Sequence, residues 1–223
     1  MINTERKALI VGASRGIGAG LVTTLDMQQW QVTATTRSTI AEHGTEVRWL
    51  SADINIPSQR EALRHSLDGE QLDLIFINAG VFGPDHQDIR QASDEQLVAL
   101  FMTNAFSPVR CALALLPLLA EKGVLALMTS QLASLNENAA ATYPLYSASK
   151  AALNMLTRDL SAHLRGSQTL LCVHPGWVQT DMGGENATLT VAESTSGIVK
   201  QMDAWRGKGG HHYIDYAGRT LRW

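Results

Sequence analysis

Cysteine is scarce in this chain. Of 223 residues only Cys111 and Cys172 are cysteine, and neither belongs to a CxxC or Cys/His spacing. A disulfide framework or a structural zinc site therefore does not organise the fold. The expectation is two buried, reduced thiols in the cytoplasm. Charge of one sign is missing too: 18 lysines and arginines stand against 21 aspartates and glutamates, a net charge of -3. No broad positive field recruits nucleic acid or an anionic membrane. Aromatic residues make up only 6% and do not interleave with a basic patch, which speaks against an RNA-binding surface. Long hydrophobic runs are also lacking. Cys111 to Ala120 is the longest, ten residues broken by Pro117, whereas a membrane span needs about 20. The opening MINTERKALIVGAS lacks the basic, apolar and small-residue order of a secretory leader. What the chain does have is 45% apolar residues, enough for a substantial core.

Strand and helix patterns alternate from end to end. Short apolar or β-branched runs at Lys7-Val11, Gln31-Thr36, Val47-Leu50, Leu72-Ile77, Gly123-Met128 and Thr169-Val173 read as strands, with one more after His211. Helical patterns run from Gly16 to Gln29, onward from Pro57, from Ser93 as cap toward Ala105, over Ser107-Ala120, Tyr143-Arg165 and Thr190-Trp205. Near-continuous apolar strands suit a sheet buried on both faces. Their alternation with helices implies right-handed crossovers. The expected fold is α/β, a single-domain Rossmann fold over residues 1-223, with a doubly wound seven-stranded parallel sheet flanked by helices. Ligands of such sheets bind beyond the strands' carboxyl ends, where Gly12, Gly80 and Gly176 each follow an expected strand.

The turn Gly12-Ala-Ser-Arg-Gly16-Ile-Gly18 joins the first strand to the first helix. Glycines there permit a tight bend and let backbone approach a pyrophosphate, which the helix N-terminus then faces. Ser14, Arg15 and Ile17 complete the turn. The second strand ends in Thr35-Thr36-Arg37, without the carboxylate that usually meets the ribose hydroxyls of NAD. Arg37 and Arg15 suit a 2′-phosphate instead, so NADP(H) is expected over NAD(H). Asp53-Ile54 follows the third strand, where Asp53 either accepts from an adenine amino group or caps the next helix.

Tyr146-Ser-Ala-Ser-Lys150 places a phenol and an ammonium at i and i+4, on one helix face. An isolated tyrosine has a pKa of about 10. A neighbouring cation is expected to lower it and so make a general acid/base for carbonyl/alcohol chemistry. Asn78-Ala79-Gly80 ends the fourth strand, Asn104 lies in the following helix, Ser130 ends the fifth strand and Pro175-Gly176 the sixth. With the glycine turn, these motifs resemble the short-chain dehydrogenase/reductase family over essentially the whole chain. The resemblance implies Tyr146 as proton donor in reduction, and Lys150 as the residue that binds the nicotinamide ribose and tunes Tyr146. Ser130 would hold the substrate oxygen, and Asn104 a water linking Lys150 to solvent. Asn78, Ala79 and Gly80 would line the adenosine side, and Pro175, Gly176, Val178 and Thr180 would flank the nicotinamide.

One spacing departs from the family pattern. The usual distance from serine to tyrosine lands on Ala133, because Ser130 stands 16 residues before Tyr146. Three extra residues in the Leu132-Thr142 loop account for this. Ser134 and Tyr143 are the competing serine and tyrosine. The longer loop, the stretch His174-Gly184 and the ending Tyr213-Trp223 look like the C-factor-type, or sniffer-like carbonyl reductase, branch. A short lid at about 179-190 suggests an open pocket for small-molecule carbonyl or alcohol substrates, lined by Leu132, Ala133, Tyr143, Trp177 and Met182. Adjacent His211 and His212 point to opposite faces of a strand, so no metal is expected. Apolar helices around Ser93-Ala120 and Tyr143-Arg165 suggest a homodimer or homotetramer. The alternative to an enzyme is an NADP-binding regulatory protein with little turnover, but such proteins commonly lose the Tyr/Lys pair that this chain retains.

Overall fold

A computed structural model describes residues 6-37 and 46-223; the first residues of the MINTERK opening lie outside the described residues. Seven parallel strands form one sheet in the order β3-β2-β1-β4-β5-β6-β7. They are β1 (Lys7–Val11), β2 (Gln31–Thr36), β3 (Arg48–Ser51), β4 (Leu72–Ile77), β5 (Leu119–Met128), β6 (Thr169–His174) and β7 (Gly210–Asp215). The helices are α1 (Gly16–Met27), α2 (Pro57–Ser66), α3 (Asp94–Phe101), α4 (Ser107–Leu115), α5 (Pro144–Ser161) and α6 (Val191–Trp205).

Alternate side chains of each strand feed two cores. Leu9, Val11, Ile75 and Ile77 pack with Leu63 of α2, Leu115 of α4 and Leu153 of α5 on one face. On the other, Ala8, Ile10, Leu74 and Phe76 meet Leu21 and Leu25 of α1 and Ile198 and Met202 of α6. Burial on both faces is why β1, β4 and β6 read as near-continuous apolar runs. Ser93 and Thr190 open α3 and α6 with capping boxes closed by Gln96 and Glu193, each satisfying helix-end donors from both directions.

Several boundaries shift by one to four residues from the sequence reading, and two differ in kind. The helices expected to stop near Ala105 and restart at Ser107 form one rod, Asp94–Leu118, with a π-helical turn at Met102–Phe106 between α3 and α4. Pro108 brings no N–H to the Asn104 carbonyl four residues earlier, and the wider turn absorbs that loss. This rod is long and apolar enough to cross a membrane by composition alone. Leu100, Ala105, Val109, Ala112 and Leu115 on it are buried in the protein. The second difference is β5, which starts at Leu119 rather than Gly123, with a register irregularity against β4. Residues 119 and 120, expected as helix, are strand.

The sheet order reverses between β1 and β4, which stay paired to their C-terminal residues Val11 and Ile77. Beyond them opens a cleft of about 450 Å³. This is where a doubly wound sheet places its ligand.

Candidate active site

The glycine turn is anchored on three sides. Gly12 N–H donates to Thr35 Oγ1 at 3.0 Å, Ala13 N–H to the Thr35 carbonyl at 2.8 Å, and Asn78 Nδ2 to the Gly12 carbonyl at 2.7 Å. Asn78 thus braces the turn while also lining the cleft. Gly12 has φ +85, and a Cβ on it would lie 2.8 Å from Ala79 N. A Cβ on Gly18 would lie 2.2 Å from the Gly12 carbonyl. Gly12 and Gly16 line the cleft with Ser14, Arg15 and Ile17, whereas Gly18 is buried beneath them.

At the same end stand Thr36 and Arg37 after β2, and Asp53, Ile54 and Asn55 after β3. Asp53 does not cap α2: its Oδ1 accepts from Asn55 N–H at 2.8 Å in a local turn, and Ile56 is the cap residue. Asn55 was not singled out from sequence. Its Nδ2 donates to Thr103 Oγ1 at 3.2 Å, while its Oδ1 is buried without a partner among the described residues. An orphaned buried acceptor beside a cleft suits a donor group on a ligand.

At the other end, Tyr146 and Lys150 lie on α5 and line the cleft with Gly80, Met128 and Thr129. The Tyr146 residue is partly exposed, but its hydroxyl is enclosed, close enough to the Ser130 side chain for that group to favour the phenolate. Ser130 Oγ accepts from Leu132 N–H at 3.2 Å. Ser134, the competing serine, is fully buried and caps the next turn through Asn136 and Glu137 N–H. Tyr143, the competing tyrosine, is the left-handed residue before α5, half exposed and stacked edge-on against Phe82. Phe82 lies 5.5 Å from the Tyr146 ring.

One electrostatic expectation is corrected. Burial pushes the Tyr146 phenol up to about 12, with the Ser130 hydrogen bond pulling only partly back. The Lys150 ammonium lies 6.0 Å from the Tyr146 ring, and desolvation outweighs any lowering by that cation. Lys150 is itself buried, which brings its pKa down to about 8 against a smaller opposing influence of Cys172. Its Nζ donates to the Met128 carbonyl at 2.9 Å. Asn104 is fully buried: its Oδ1 accepts from Val81 N–H, and its Nδ2 reaches the Val81 carbonyl and Ser149 Oγ. A Cβ on Gly80 would lie 3.2 Å from Lys150 Nζ and 3.3 Å from Asn104 Oδ1, so these groups converge.

Gln87, also unremarked in the sequence, is a buried staple. It accepts from Tyr146 N–H at 2.9 Å and donates to the carbonyls of Phe82 and Pro84 at 3.1 and 2.8 Å. This ties the loop after β4 to the first turn of α5, whose leading N–H groups lack helical partners.

Pro175 and Thr180 line the cleft, but Gly176 and Val178 do not. Gly176 makes a left-handed turn at φ +84, and buried Val178 bridges to Leu189 at the root of the lid. Of the substrate-lining candidates only Met182 borders the cleft; Ala133 is buried, and Trp177 is exposed with its Nε1 on the Gly183 carbonyl. Arg15 reaches across to Asp181 on the lid at 2.6 Å, both largely exposed. His211 meets Thr157 and Cys172, whereas His212 meets the Gly209 carbonyl and Trp205.

The short chain dehydrogenase family model matches residues 6–189. C-signal of Myxococcus xanthus is 36% identical over 163 residues, 68% of this chain and 93% of that protein. A carbonyl reductase from Pseudomonas aeruginosa PAO1, solved in complex with NADP, superimposes with a TM-score of 0.91 at 38% identity, covering 99% of this chain and 100% of that one. The carbonyl reductase Sniffer of D. melanogaster gives 0.85 at 30% identity over 98% of this chain and 100% of its own.

Proposed function

This chain belongs to the short-chain dehydrogenase family, and from that premise we propose that it is an NADP(H)-dependent carbonyl reductase acting on small aldehydes, ketones or the corresponding alcohols. One observation carries the reading. A single cleft has Arg15 on the glycine turn and Arg37 after β2, with no carboxylate directly at the end of β2 among the described residues, and Tyr146 beside buried Lys150 at its far end, next to Ser130. The NADP held by the Pseudomonas relative supports the same cofactor here.

Arg15 and Arg37 would hold the 2′-phosphate as forked cations. The glycine turn would leave α1's free N–H groups to hold the pyrophosphate. Asn55 Oδ1, with Asp53, offers acceptors to the adenine amino group. Bound NADPH supplies the hydride. Ser130 Oγ orients the substrate oxygen against the Tyr146 hydroxyl. The phenol, pushed up to about 12 by burial, is protonated near neutrality and so carries the proton that carbonyl reduction needs, but as a weaker acid than a free tyrosine. Lys150, down at about 8, exchanges protons readily near neutral pH and can restore the one Tyr146 gives up. Asn104 fixes the floor beneath it.

Two copies are proposed to pair through the helical faces that expose Val98, Phe106, Leu113 and Met155, giving a homodimer or homotetramer. With Cys111 and Cys172 both free and buried, the cytoplasm is the proposed location. An NADPH-oxidation assay against aldehydes, ketones and quinones tests the function. Tyr146→Phe is expected to lose a factor of roughly 10² to 10⁴ in kcat while still binding NADPH. Equal rates in the two proteins, or no oxidation with any carbonyl, would overturn the reading.

A further inference from the structure

The strand β5 ends at Met128, so Ser130 stands two residues beyond it. Only a short 3-10 turn, Gln131–Ala133, separates it from the irregular stretch before α5. A reacting hydroxyl at such a place keeps its position only if the backbone beneath it is held, and displacements of about 1 Å are costly.

The far end of the chain does the holding. Tyr213 on β7 is almost fully buried and donates its hydroxyl to the Ser130 carbonyl. Burial drives this phenol well above its ordinary range, so it remains a donor throughout the working pH range. Gln131, the next residue, is gripped from both sides: its Nε2 donates to Glu137 at 3.0 Å, and its Oε1 accepts from Arg219 at 3.3 Å. Arg219 also pairs with Asp215 at 3.0 Å and Glu137 at 3.5 Å. Glu137 further accepts from Arg222 N–H at 3.1 Å, and Asn136 Nδ2 donates to the Trp223 carbonyl at 2.6 Å. The carboxylates of Glu137 and Asp215 are only 11% and 10% exposed. Solvent and salt therefore screen them far less than the open Arg15–Asp181 pair. His174 faces the same cluster, but burial takes its pKa down to about 4, so it adds no charge near neutrality. Asn136 and Glu137 belong to the loop lengthened by three residues, and they are the groups that reach the tail.

We propose that residues 213–223 form a strap that positions the serine loop, with Tyr213 and Arg219 acting on the reaction through Ser130. They are positioning residues, since neither lines the cleft. The proposal rests on the carbonyl reductase reading above.

The test compares the full chain with Tyr213→Phe, Arg219→Gln and Arg219→Lys by steady-state kinetics, NADPH binding and hydrogen–deuterium exchange. Tyr213→Phe and Arg219→Gln are expected to lower kcat about tenfold. NADPH affinity should change less than about twofold, and amides of residues 130–138 should exchange about tenfold faster. Arg219→Lys, which restores one charge contact, should recover part of kcat. A purely structural tail would lower Tm but leave kcat and loop exchange at wild-type values below the transition, and that result overturns the proposal. If Tyr213→Phe fails to fold, Arg219→Gln decides, because Arg219 is half exposed. If wild type shows no turnover, the oxidoreductase reading fails, while the exchange of residues 130–138 still decides the strap.

Discussion

Replacing Lys150 with methionine separates what this residue does for the fold from what it does for the reaction. The side chain is 3% exposed, and its one hydrogen bond runs to the Met128 carbonyl at 2.9 Å. Burial brings its pKa from the ordinary 10.5 to about 8. The folded state therefore binds this proton more weakly than the unfolded chain does. Below pH 8 folding carries the full cost of enclosing the ammonium, and the cost vanishes as pH rises from 8 to 10.5. The difference corresponds to roughly 3 kcal/mol. Methionine removes that cost but leaves the Met128 carbonyl without its donor, a loss of about 1–2 kcal/mol. Lys150→Met should thus be more stable than wild type by ~1–2 kcal/mol at pH 7, a Tm higher by roughly 2–8 °C for a domain of this size. Above about pH 10 the order should reverse, because a neutral lysine keeps its hydrogen bond at no charging cost. Parallel circular-dichroism melts from pH 7 to 10.5, with no nucleotide added, measure this. Tyr146 and Cys172, both pushed up to about 12 by burial, lose protons in this range only from the unfolded chain, and that contribution is common to both proteins and largely cancels. Turnover should be lost at every pH. A Tm difference that stays constant with pH, or a wild type more stable at pH 7, would refute the reasoning.

Gln87→Met keeps the shape but removes three hydrogen bonds, one buried and two part-buried, including the one from Tyr146 N–H. The expected loss is about 2–3 kcal/mol, seen as a Tm lower by roughly 4–12 °C with a reduced kcat; an unchanged Tm would remove the staple from the account. Gly12→Ala forces a left-handed residue against the Ala79 backbone 2.8 Å away. A stability loss of about 1–3 kcal/mol and abolished NADPH binding in a fluorescence titration are expected, and normal affinity would contradict the proposed pyrophosphate turn. Arg37→Asp should shift the ratio of kcat/KM for NADPH over NADH by at least about tenfold toward NADH; a wild type that already prefers NADH would overturn the cofactor assignment.

Much of the fold was legible locally. The limits of β1, β2 and β4 could be read to the residue, because strands buried on both faces are apolar runs stopped by polar or glycine positions. The Ser93 cap, the glycine turn and the i, i+4 placement of Tyr146 and Lys150 follow from backbone periodicity and from which residues tolerate which dihedrals. The π turn was hidden because Asn104 and Pro108 read equally well as a break between two helices. The start of β5 was hidden because Leu119-Ala120 carries no turn residue to separate it from the helix before.

The amino-acid sequence by itself determined the order of strands and helices, the glycine turn and the shared helix face of Tyr146 and Lys150, since each depends on short stretches with their own conformational preferences. Only the tertiary structure decided their electrical state and their neighbours. Burial, not a nearby cation, dominates Tyr146; Asp53 turns a loop where capping was possible; Gly176 and Val178 do not line the cleft. Gln87 grips a helix 59 residues ahead, and Tyr213 reaches back 83 residues to Ser130. Desolvation and long-range hydrogen bonds depend on what the completed fold packs around a group, and that surrounding is assembled from segments remote along the chain.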